Sequence, residues 1–441
     1  MGKLKSFLRG LGLCLIVVVG IAAWTVLPWP ALLALAVLFA LWMLLARTGR
    51  QAGSVTRVGV STLPQRIGTS SVVVIGIAGV VAVLVSLLAM GVGYRETLDR
   101  SGSADTAIVL RGGSASEVSS VLDHASTTVI EQAPGIARDA AGKPIASPEL
   151  VVAANLPLND GSGDEGSVQV RGIGDEAWTL RPEVKIIAGR KFTPGLRELV
   201  VGKGAQHQFA GLTPGREIKL GSQAWTVAGV FESGNAMDSE LWGDANVVAD
   251  TYRRGSSRTS VFVRLTSPAA FDAFKAALAG DPRLQADTST TLDYFRKQSE
   301  GVTKAITIIG IVVGVIMGIG AVFGALNTMF ATVAARAREI ATLRAIGFRG
   351  LPVVVAVMLE TMLLALLGGV IGGLLAWLVF NGYSASTLAQ GTVGTLSFKL
   401  AVTPALFWTG LKWALAIGFI GGLFPAVRAA RLPVTTALRE L

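Results

Sequence analysis

The sequence concentrates charged side chains in residues 327–349, between two long apolar runs. The segment holds one acid among its arginines, as Arg336, Arg338, Glu339, Arg344 and Arg349. Such side chains can form ion pairs with a partner protein, and arginines beside a membrane span mark its cytoplasmic side. Apolar residues recur at steps of three and four from Val333 to Leu343, which predicts a helix that stops at Gly347. The segment is therefore either an ordinary positive loop or a helix that takes up force from a cytoplasmic partner.

The sequence lacks the residue patterns of familiar catalytic centres. It has no G-x-x-x-x-G-K-[ST] phosphate loop, no H-E-x-x-H zinc motif and no G-x-S-x-G nucleophile turn. Its single cysteine, Cys14, and its two histidines, His124 and His207, lie in unrelated contexts. We therefore predict a chain that is not an enzyme by itself and binds no cofactor or metal of its own.

The composition indicates a membrane protein whose positive charge reflects topology. The chain of 441 residues is 51% hydrophobic, with a formal charge of +10 at pH 7 and a mean hydropathy of +0.58. Residues 95–304 contain 23 basic and 26 acidic residues, which leaves 16 basic and 3 acidic residues elsewhere. Nearly all of those 16 cations flank apolar runs, so nucleic acid is a poor explanation for the charge and a lipid membrane a good one.

Apolar runs and basic clusters together predict six membrane crossings, with both chain termini inside. The runs at 11–27 and 31–46 are short against the roughly 20 residues that a span needs, so they form a tight hairpin or a shallow re-entrant pair. The predicted fold class is an α-helical membrane protein with six spans, namely an N-terminal hairpin plus a four-span core, and a large α+β extracytoplasmic domain. Its divisions are a hairpin (1–50), an amphipathic elbow helix (51–71), a first core span (72–93), the extracytoplasmic domain (94–304), and three core spans with the charged helix 333–347 and a C-terminal tail (305–441).

The extracytoplasmic domain is predicted from its turns and alternating runs. A capping-box pattern at Ser114 and Glu117 predicts a helix that ends near Pro134. A second helix is expected at 269–279, and 382–403 is expected to be a short external connection. Period-two runs bounded by Gly and Pro predict strands at 167–171, 198–201, 217–220 and 224–231.

Glycines at four-residue steps predict close packing between helices. Gly310, Gly314 and Gly318 form one nearly continuous stripe, as such spacing lets helix backbones approach. We predict that this stripe meets a second copy of the chain, although packing within the protomer would need the same spacing. Two interleaved pairs, Gly368 with Gly372 and Gly369 with Gly373, show the same four-residue step.

The charged helix also resembles a known signature. Residues 336–347 read R-A-R-E-I-A-T-L-R-A-I-G, similar to the R-x-x-E-I-x-x-L-R-A-x-G motif of the MacB/FtsX/LolC-type (type VII) ABC transporter permeases. The sequence departs from many members at Ala335 and Ala341, but it keeps the arginines and the acid. The resemblance implies that 333–347 is the coupling helix, which docks on a separate ATPase. It assigns ATPase coupling to Arg336, Arg338, Glu339, Ile340, Leu343, Arg344, Gly347 and Glu360.

The resemblance also implies a function and its partners. It describes the permease subunit of a mechanotransmission transporter in the bacterial inner membrane, multi-pass with its large domain outside, where ATP binds to the partner ATPase. Expected partners are a second permease copy, as a homodimer or heterodimer, and a periplasmic adaptor. The expected activity is export or extraction of a substrate. The alternative is a transducer that moves no substrate and activates an extracytoplasmic partner such as a cell-wall hydrolase.

Overall fold

The computed structural model describes residues 20, 24, 27–161, 163–388 and 394–431. Its helices are α1 (Trp29–Leu45), α2 (Arg47–Ser61), α3 (Ile67–Asp99), α4 (His124–Glu131), α5 (Glu176–Leu180), α6 (Lys203–Gln208), α7 (Ala245–Thr251), α8 (Phe271–Ala279), α9 (Thr291–Ala335), α10 (Ala337–Ala345), α11 (Gly350–Phe380) and α12 (Pro404–Arg431). Its strands are β1 (Thr106–Arg111), β2 (Ala146–Pro157), β3 (Glu165–Ile173), β4 (Lys185–Gly189), β5 (Glu198–Gly202), β6 (Glu217–Leu220), β7 (Gln223–Glu232), β8 (Glu240–Asp244), β9 (Ser260–Arg264), β10 (Ala286–Thr290), β11 (Ser384–Leu388) and β12 (Thr395–Lys399).

The described chain forms two compact units. The strand-rich unit comprises Met90–Ile306 and Gly382–Leu400, and the helical unit takes in the described residues before and between those segments and after Leu400. Among the described residues, four helices are long and apolar enough to cross a membrane: Leu63–Asp99, Thr291–Ala335, Gly350–Phe380 and Pro404–Arg431.

The N-terminal part of the helical unit leaves the predicted hairpin a prediction and divides the predicted elbow. Helices α1 and α2 are bent by 96°, and together they would supply at most a fifth span. The hairpin's first arm lies largely outside the described residues, so the six-span count stays a prediction. The elbow predicted at 51–71 is split: α2 ends at Ser61, a 3-10 turn follows at Leu63–Arg66, and α3 already begins at Ile67. Pro64 explains the break, because proline cannot continue a preceding helix.

Glycines bring α11 into close contact with α3 and α12. A Cβ at Gly372 would lie 2.4 Å from the Ala78 carbonyl oxygen of α3. A Cβ at Gly369 would lie 2.8 Å from Cβ of Ala414 in α12. Distances this short leave no room for a side chain, so α11 packs between α3 and α12 only because glycine stands at these positions. The two interleaved glycine pairs are thus confirmed as helix contacts.

The Gly310–Gly318 stripe is also a helix contact, but its partner lies in the same chain. Cβ atoms at Gly310 and Gly314 would meet Leu87 and Leu84 of α3, and one at Gly318 would meet Ile417 of α12. The prediction that this stripe meets a second protomer is therefore not supported. Four-residue spacing identifies a close approach between helices, whereas the identity of the partner depends on the tertiary fold.

The strand-rich unit is built on a sheet of ten strands in the order β10-β1-β9-β2-β3-β8-β5-β7-β4, with β6 paired to β7. The four strands predicted from the sequence are confirmed within β3, β5, β6 and β7. The helix expected from Ser114 begins only at His124, where Asp123 caps it, because the capping box at Ser116 closes a single 3-10 turn. The expected connection 382–403 contains the antiparallel hairpin β11–β12.

A buried charge network crosses the core of the strand-rich unit. The Arg171 guanidinium, only 1% exposed, donates hydrogen bonds to Glu117, Glu149 and Glu240 at 2.7–2.9 Å from its nearest nitrogens. Arg181 adds a bond to Glu149 at 2.6 Å. Burial alone would raise the pKa of Glu117, but the charge and hydrogen bonds of Arg171 lower it below its usual value. The ion pairs therefore fix β2, β3 and β8 to one another.

Candidate coupling site

The charged helix is a separate short element between two spanning-length helices. Helix α9 ends at Ala335, and Arg336 leaves helical geometry (φ −101°, ψ 9°) before α10 begins. The C-terminus of α10 has the hydrogen bonds of a Schellman motif, Gly347 N–H to Arg344 O and Phe348 N–H to Leu343 O. The motif requires a left-handed residue, and Gly347 has φ +106°. The helix predicted at 333–347 is thus divided, since its first residues belong to α9.

One face of α10 is buried against its neighbours. Ile340 is 5% exposed and Ala341 is 2% exposed. Ile340 belongs to an apolar cluster contributed by the ends of α9, α11 and α12, namely Met329, Val333, Val353, Val357, Ala426 and Ala429. Ile340 therefore anchors α10 to the helical unit and is unavailable to a partner.

Arg336 connects α10 to α11 through a buried ion pair. Its Nη1 donates to Oε2 of Glu360 at 2.8 Å, and its Nε donates to Glu339 at 3.1 Å. The Arg336 and Glu360 side chains are 9% and 4% exposed. Arg66, from the turn after α2, approaches Glu339 at 3.9 Å. The predicted role of Glu360 near the charged helix is supported by this geometry, whereas Arg336 faces inward and cannot belong to a docking surface.

The outward face of α10 carries the side chains that a partner could reach. Arg338 is exposed, and the Glu339 side chain is 53% exposed. Leu343 and Arg344 are half-buried, and Ile346 at the C-cap is 72% exposed. The eight residues assigned to coupling thus divide into an outward group and an inward group that holds the helix in place.

Sequence reasoning missed the contribution of α2. A Cβ at Gly59 would lie 3.3 Å from Glu360 Oε2 and 3.4 Å from Arg336 Nη1, so the α2 backbone closes over the ion pair. Gly59 belongs to a buried face of small residues, with Gly49, Ala52 and Val55. That face is a periodic signal that could have predicted helix packing, although not against which helix.

Two family models match the chain. The MacB-like periplasmic core domain matches residues 70–280, and the FtsX-like permease C-terminal matches residues 306–434. Four spanning-length helices, a strand-rich domain and a charged helix between spans define a multi-pass membrane protein of the ABC permease class. The chain belongs to the MacB/FtsX-type (type VII) family of ABC transporter permeases.

Curated relatives show the same similarity. The macrolide export ATP-binding/permease protein MacB of Escherichia coli is 24% identical over 388 residues, covering 84% of this chain and 58% of the relative. A MacB 1 protein of Aeromonas hydrophila is 30% identical over 297 residues, and the match covers 62% of this chain and 43% of the relative. The uncharacterized ABC transporter permease YknZ of Bacillus subtilis is 25% identical, covering 63% and 71%. The chain thus spans about half the length of the macrolide export relatives it matches.

Two solved structures also match part of the chain. The periplasmic region of MacB from Actinobacillus actinomycetemcomitans matches with 14% identity and a TM-score of 0.33, covering 47% of this chain and 94% of that structure. The extracellular domain of YknZ from Gram-positive bacteria matches with 15% identity and a TM-score of 0.33. This match covers 42% of this chain and 100% of that structure.

Proposed function

We propose that the chain is the permease subunit of a mechanotransmission ABC transporter. A separate ATPase subunit binds and hydrolyses ATP and moves α10, and the helices pass that motion to the strand-rich unit for export or extraction of a substrate. The working complex contains two permease copies, as a homodimer or heterodimer, two ATPases and a periplasmic adaptor. It lies in the bacterial inner membrane, with the strand-rich unit outside.

The observation that carries this proposal is the double attachment of α10. The helix follows α9 directly through Arg336, and the same residue is paired with Glu360 of α11 at 2.8 Å. Because the pair is buried, its attraction is little screened, and separating its charges would be costly. A push on α10 therefore moves both helices. Helix α9 contains 45 residues without a break and is roughly 68 Å long, so it can carry the displacement to the strand-rich unit.

The chain connectivity supports placing α10 in the cytoplasm. The chain enters the strand-rich unit from α3, leaves it through α9, and returns to it between α11 and α12. The opposite ends of these four helices carry the arginines near α10 and in the last turn of α12. Arginines next to spans favour the cytoplasmic side, and this supports the proposal that the strand-rich unit lies outside.

Export is supported by the relatives that are named as macrolide export proteins. The alternative, a transducer that activates an extracytoplasmic partner, would use the same coupling site and would show no transport. Lower accumulation of a macrolide in cells that express the complete complex, compared with cells that lack the ATPase, would distinguish the two activities.

Reversing the outward charges of α10 tests the coupling. We expect Arg338→Glu with Arg344→Glu to weaken co-purification of the co-expressed ATPase roughly tenfold or more, because complementary charges become repulsive. The stimulation of ATP hydrolysis by the permease should fall in parallel. Arg111→Glu, an exposed charge reversal in the strand-rich unit, is the matched control. Normal ATPase binding and stimulation by the double variant, with the same gel-filtration profile, would refute the docking role of α10.

A further inference from the structure

A set of hydrogen bonds ties together the two segments by which the chain enters and leaves the strand-rich unit. Ser103 lies in the segment after α3, and Thr291 is the first residue of α9. The Ser103 N–H donates to Thr291 Oγ1 at 2.8 Å, and Thr291 Oγ1 donates in return to the Ser103 carbonyl oxygen at 3.0 Å. Thr106 Oγ1, from the first residue of β1, lies 2.5 Å from Thr291 Oγ1. We call Ser103, Thr106 and Thr291 the clasp.

The Thr291 hydroxyl uses its full hydrogen-bonding capacity in the clasp. It donates its one proton to the Ser103 carbonyl, so Thr106 must be the donor in the bond between the two hydroxyls. Thr291 is only 2% exposed, so water cannot readily replace these bonds. A buried hydroxyl that donates one bond and accepts two is held rigidly. The clasp is therefore a specific attachment and not a surface contact.

Two consecutive threonines have different roles at the start of α9. The Thr290 hydroxyl accepts a hydrogen bond from the Asp293 N–H at 3.1 Å and so caps the helix. Thr291 is thereby left to bond outside the helix. The ladder between β1 and β10 ends with Ala107 opposite Thr290, so the bond between Thr106 and Thr291 extends that ladder into the first residue of α9.

The two backbones are in direct contact beside the clasp. A Cβ at Gly102 would lie 2.6 Å from Cα of Leu292, and the Leu292 N–H donates to the Ser103 carbonyl oxygen at 3.3 Å. Tyr294 and Phe295 also hold α9 to the core of the strand-rich unit. Apolar packing is non-directional, whereas hydrogen bonds fix the position and orientation of the groups that they join. The clasp therefore sets the position of α9 relative to β1.

We propose that Thr291 is a positioning residue for the motion of the strand-rich unit. Its hydroxyl fixes the start of α9 to β1 and to the segment after α3, so a displacement of α9 moves the sheet and is not absorbed where the helix begins. Strand β1 pairs with both β9 and β10, so it passes the motion to the sheet on either side. That α9 carries a displacement rests on the proposed function, whereas the attachment itself rests on the hydrogen bonds.

Spin labels on the full chain, without the ATPase, test the attachment. In a Cys14→Ser background, labels are placed at Arg111→Cys in β1 and Lys304→Cys in α9, both of which are exposed positions. Pulsed electron paramagnetic resonance gives the distribution of distances between the labels. We expect one narrow distance in the unaltered chain and its loss in Thr291→Val, which keeps the side-chain shape but removes the hydroxyl. Thr291→Ser should keep the narrow distance, and so should Thr97→Val, whose lost bond lies within α3.

Export by the complete complex tests the role of the clasp. Thr291→Val should stimulate the ATPase as the unaltered chain does, because α10 is unchanged. Its export should be lost, so that macrolide accumulation rises to the level of cells without the ATPase, and Thr291→Ser should restore export. Thr106→Val removes only one bond of the clasp and should show both effects in smaller degree. This variant carries the test if Thr291→Val does not give a monodisperse protein.

Three results would each overturn the role of Thr291. They are a broad distance distribution in the unaltered chain, an unchanged narrow distance in Thr291→Val, and normal export by that variant. An unaltered chain that fails to stimulate the ATPase would instead refute the proposed function. The spin-label measurement needs no ATPase, so it would still decide whether the clasp fixes α9 to β1.

Discussion

Arg336 combines two roles that are usually separate in a membrane protein. Its backbone interrupts the helix between α9 and α10, and its side chain bonds Glu339 and Glu360. A charge buried at this depth is costly unless it is paired, so the pair persists because each partner compensates the other. The interruption of the helix and the electrostatic attachment of α10 to α11 therefore depend on one residue.

Neutralising one partner of the Arg336–Glu360 pair should lower the free energy of unfolding more than neutralising both. Arg336→Met leaves Glu360 buried without its strongest partner, and we expect a loss of about 3–5 kcal/mol in the free energy of unfolding. Combining Arg336→Met with Glu360→Leu removes both charges, and most of that loss should be recovered. Thermal unfolding of the detergent-solubilised protein gives the comparison.

The same pair of variants separates stability from coupling. The double variant should fold well and still stimulate the ATPase less than the unaltered chain, because the bond between α10 and α11 is gone. A double variant as unstable as Arg336→Met alone would mean that the site needs the arginine for packing rather than for charge compensation.

At the scale of the helices, α11 depends on glycine where it meets α3. We expect Gly372→Ala to destabilise the helical unit by about 1–3 kcal/mol, because its methyl group would overlap the Ala78 carbonyl oxygen. The matched control is Gly76→Ala in α3, where nothing lies within 4 Å of the added atom. The fraction of protein that remains monodisperse after heating measures both effects. If the two variants behave alike, α3 and α11 are not in backbone contact.

The long helices could be predicted from sequence because length and hydropathy suffice for them. Runs above about 20 apolar residues and flanking arginines locate spans without knowledge of the fold. The stop at Gly347 was equally local, since a Schellman motif needs only glycine after the last turn. The glycine contacts of α11 could be predicted for the same reason, because a four-residue step is a local sequence pattern. These glycines are Gly368, Gly369, Gly372 and Gly373.

Contacts between distant segments could not be predicted in this way. Nothing near Gly59 in the sequence indicates that a buried ion pair from α10 and α11 lies above it. The spacing of Gly310 to Gly318 predicted a close approach, but a partner in α3 and a partner in another protomer require the same spacing. The capping-box pattern at Ser114 and Glu117 predicted a helix, but the segment forms only one 3-10 turn before α4 begins.

At the scale of the whole molecule, α9 is the candidate span whose apolar surface is least buried within the described chain. Only 17% of its most apolar window is buried within the chain, against 39–50% for the other three candidate spans. Gly320 and Gly324 lie on this helix at a four-residue step, with nothing within 4 Å of a Cβ at either. A second permease copy would have enough exposed surface to pack on α9, and the two glycines would let its helix approach closely.

Cysteine cross-linking should therefore distinguish the two glycine stripes. In the Cys14→Ser background, we expect Gly324→Cys to cross-link between protomers in the complex with the ATPase, and Gly314→Cys to remain monomeric because it faces Leu84. Gel electrophoresis without reducing agent gives the readout. Cross-linking at Gly314 but not at Gly324 would reinstate the stripe first predicted from the sequence and would contradict the packing of α9 on α3.

The β11–β12 hairpin has a consequence for how the protein is made. Leu396, Phe398 and Leu400 are at most 7% exposed and belong to the same core as Tyr94, Phe231 and Trp242. A ribosome finishes Met90–Ile306 long before it reaches these three residues, and α11 must be threaded into the bilayer in between. The core of the strand-rich unit therefore cannot be completed until the chain has been synthesised past the candidate span α11, although the unit begins about 300 residues earlier at Met90.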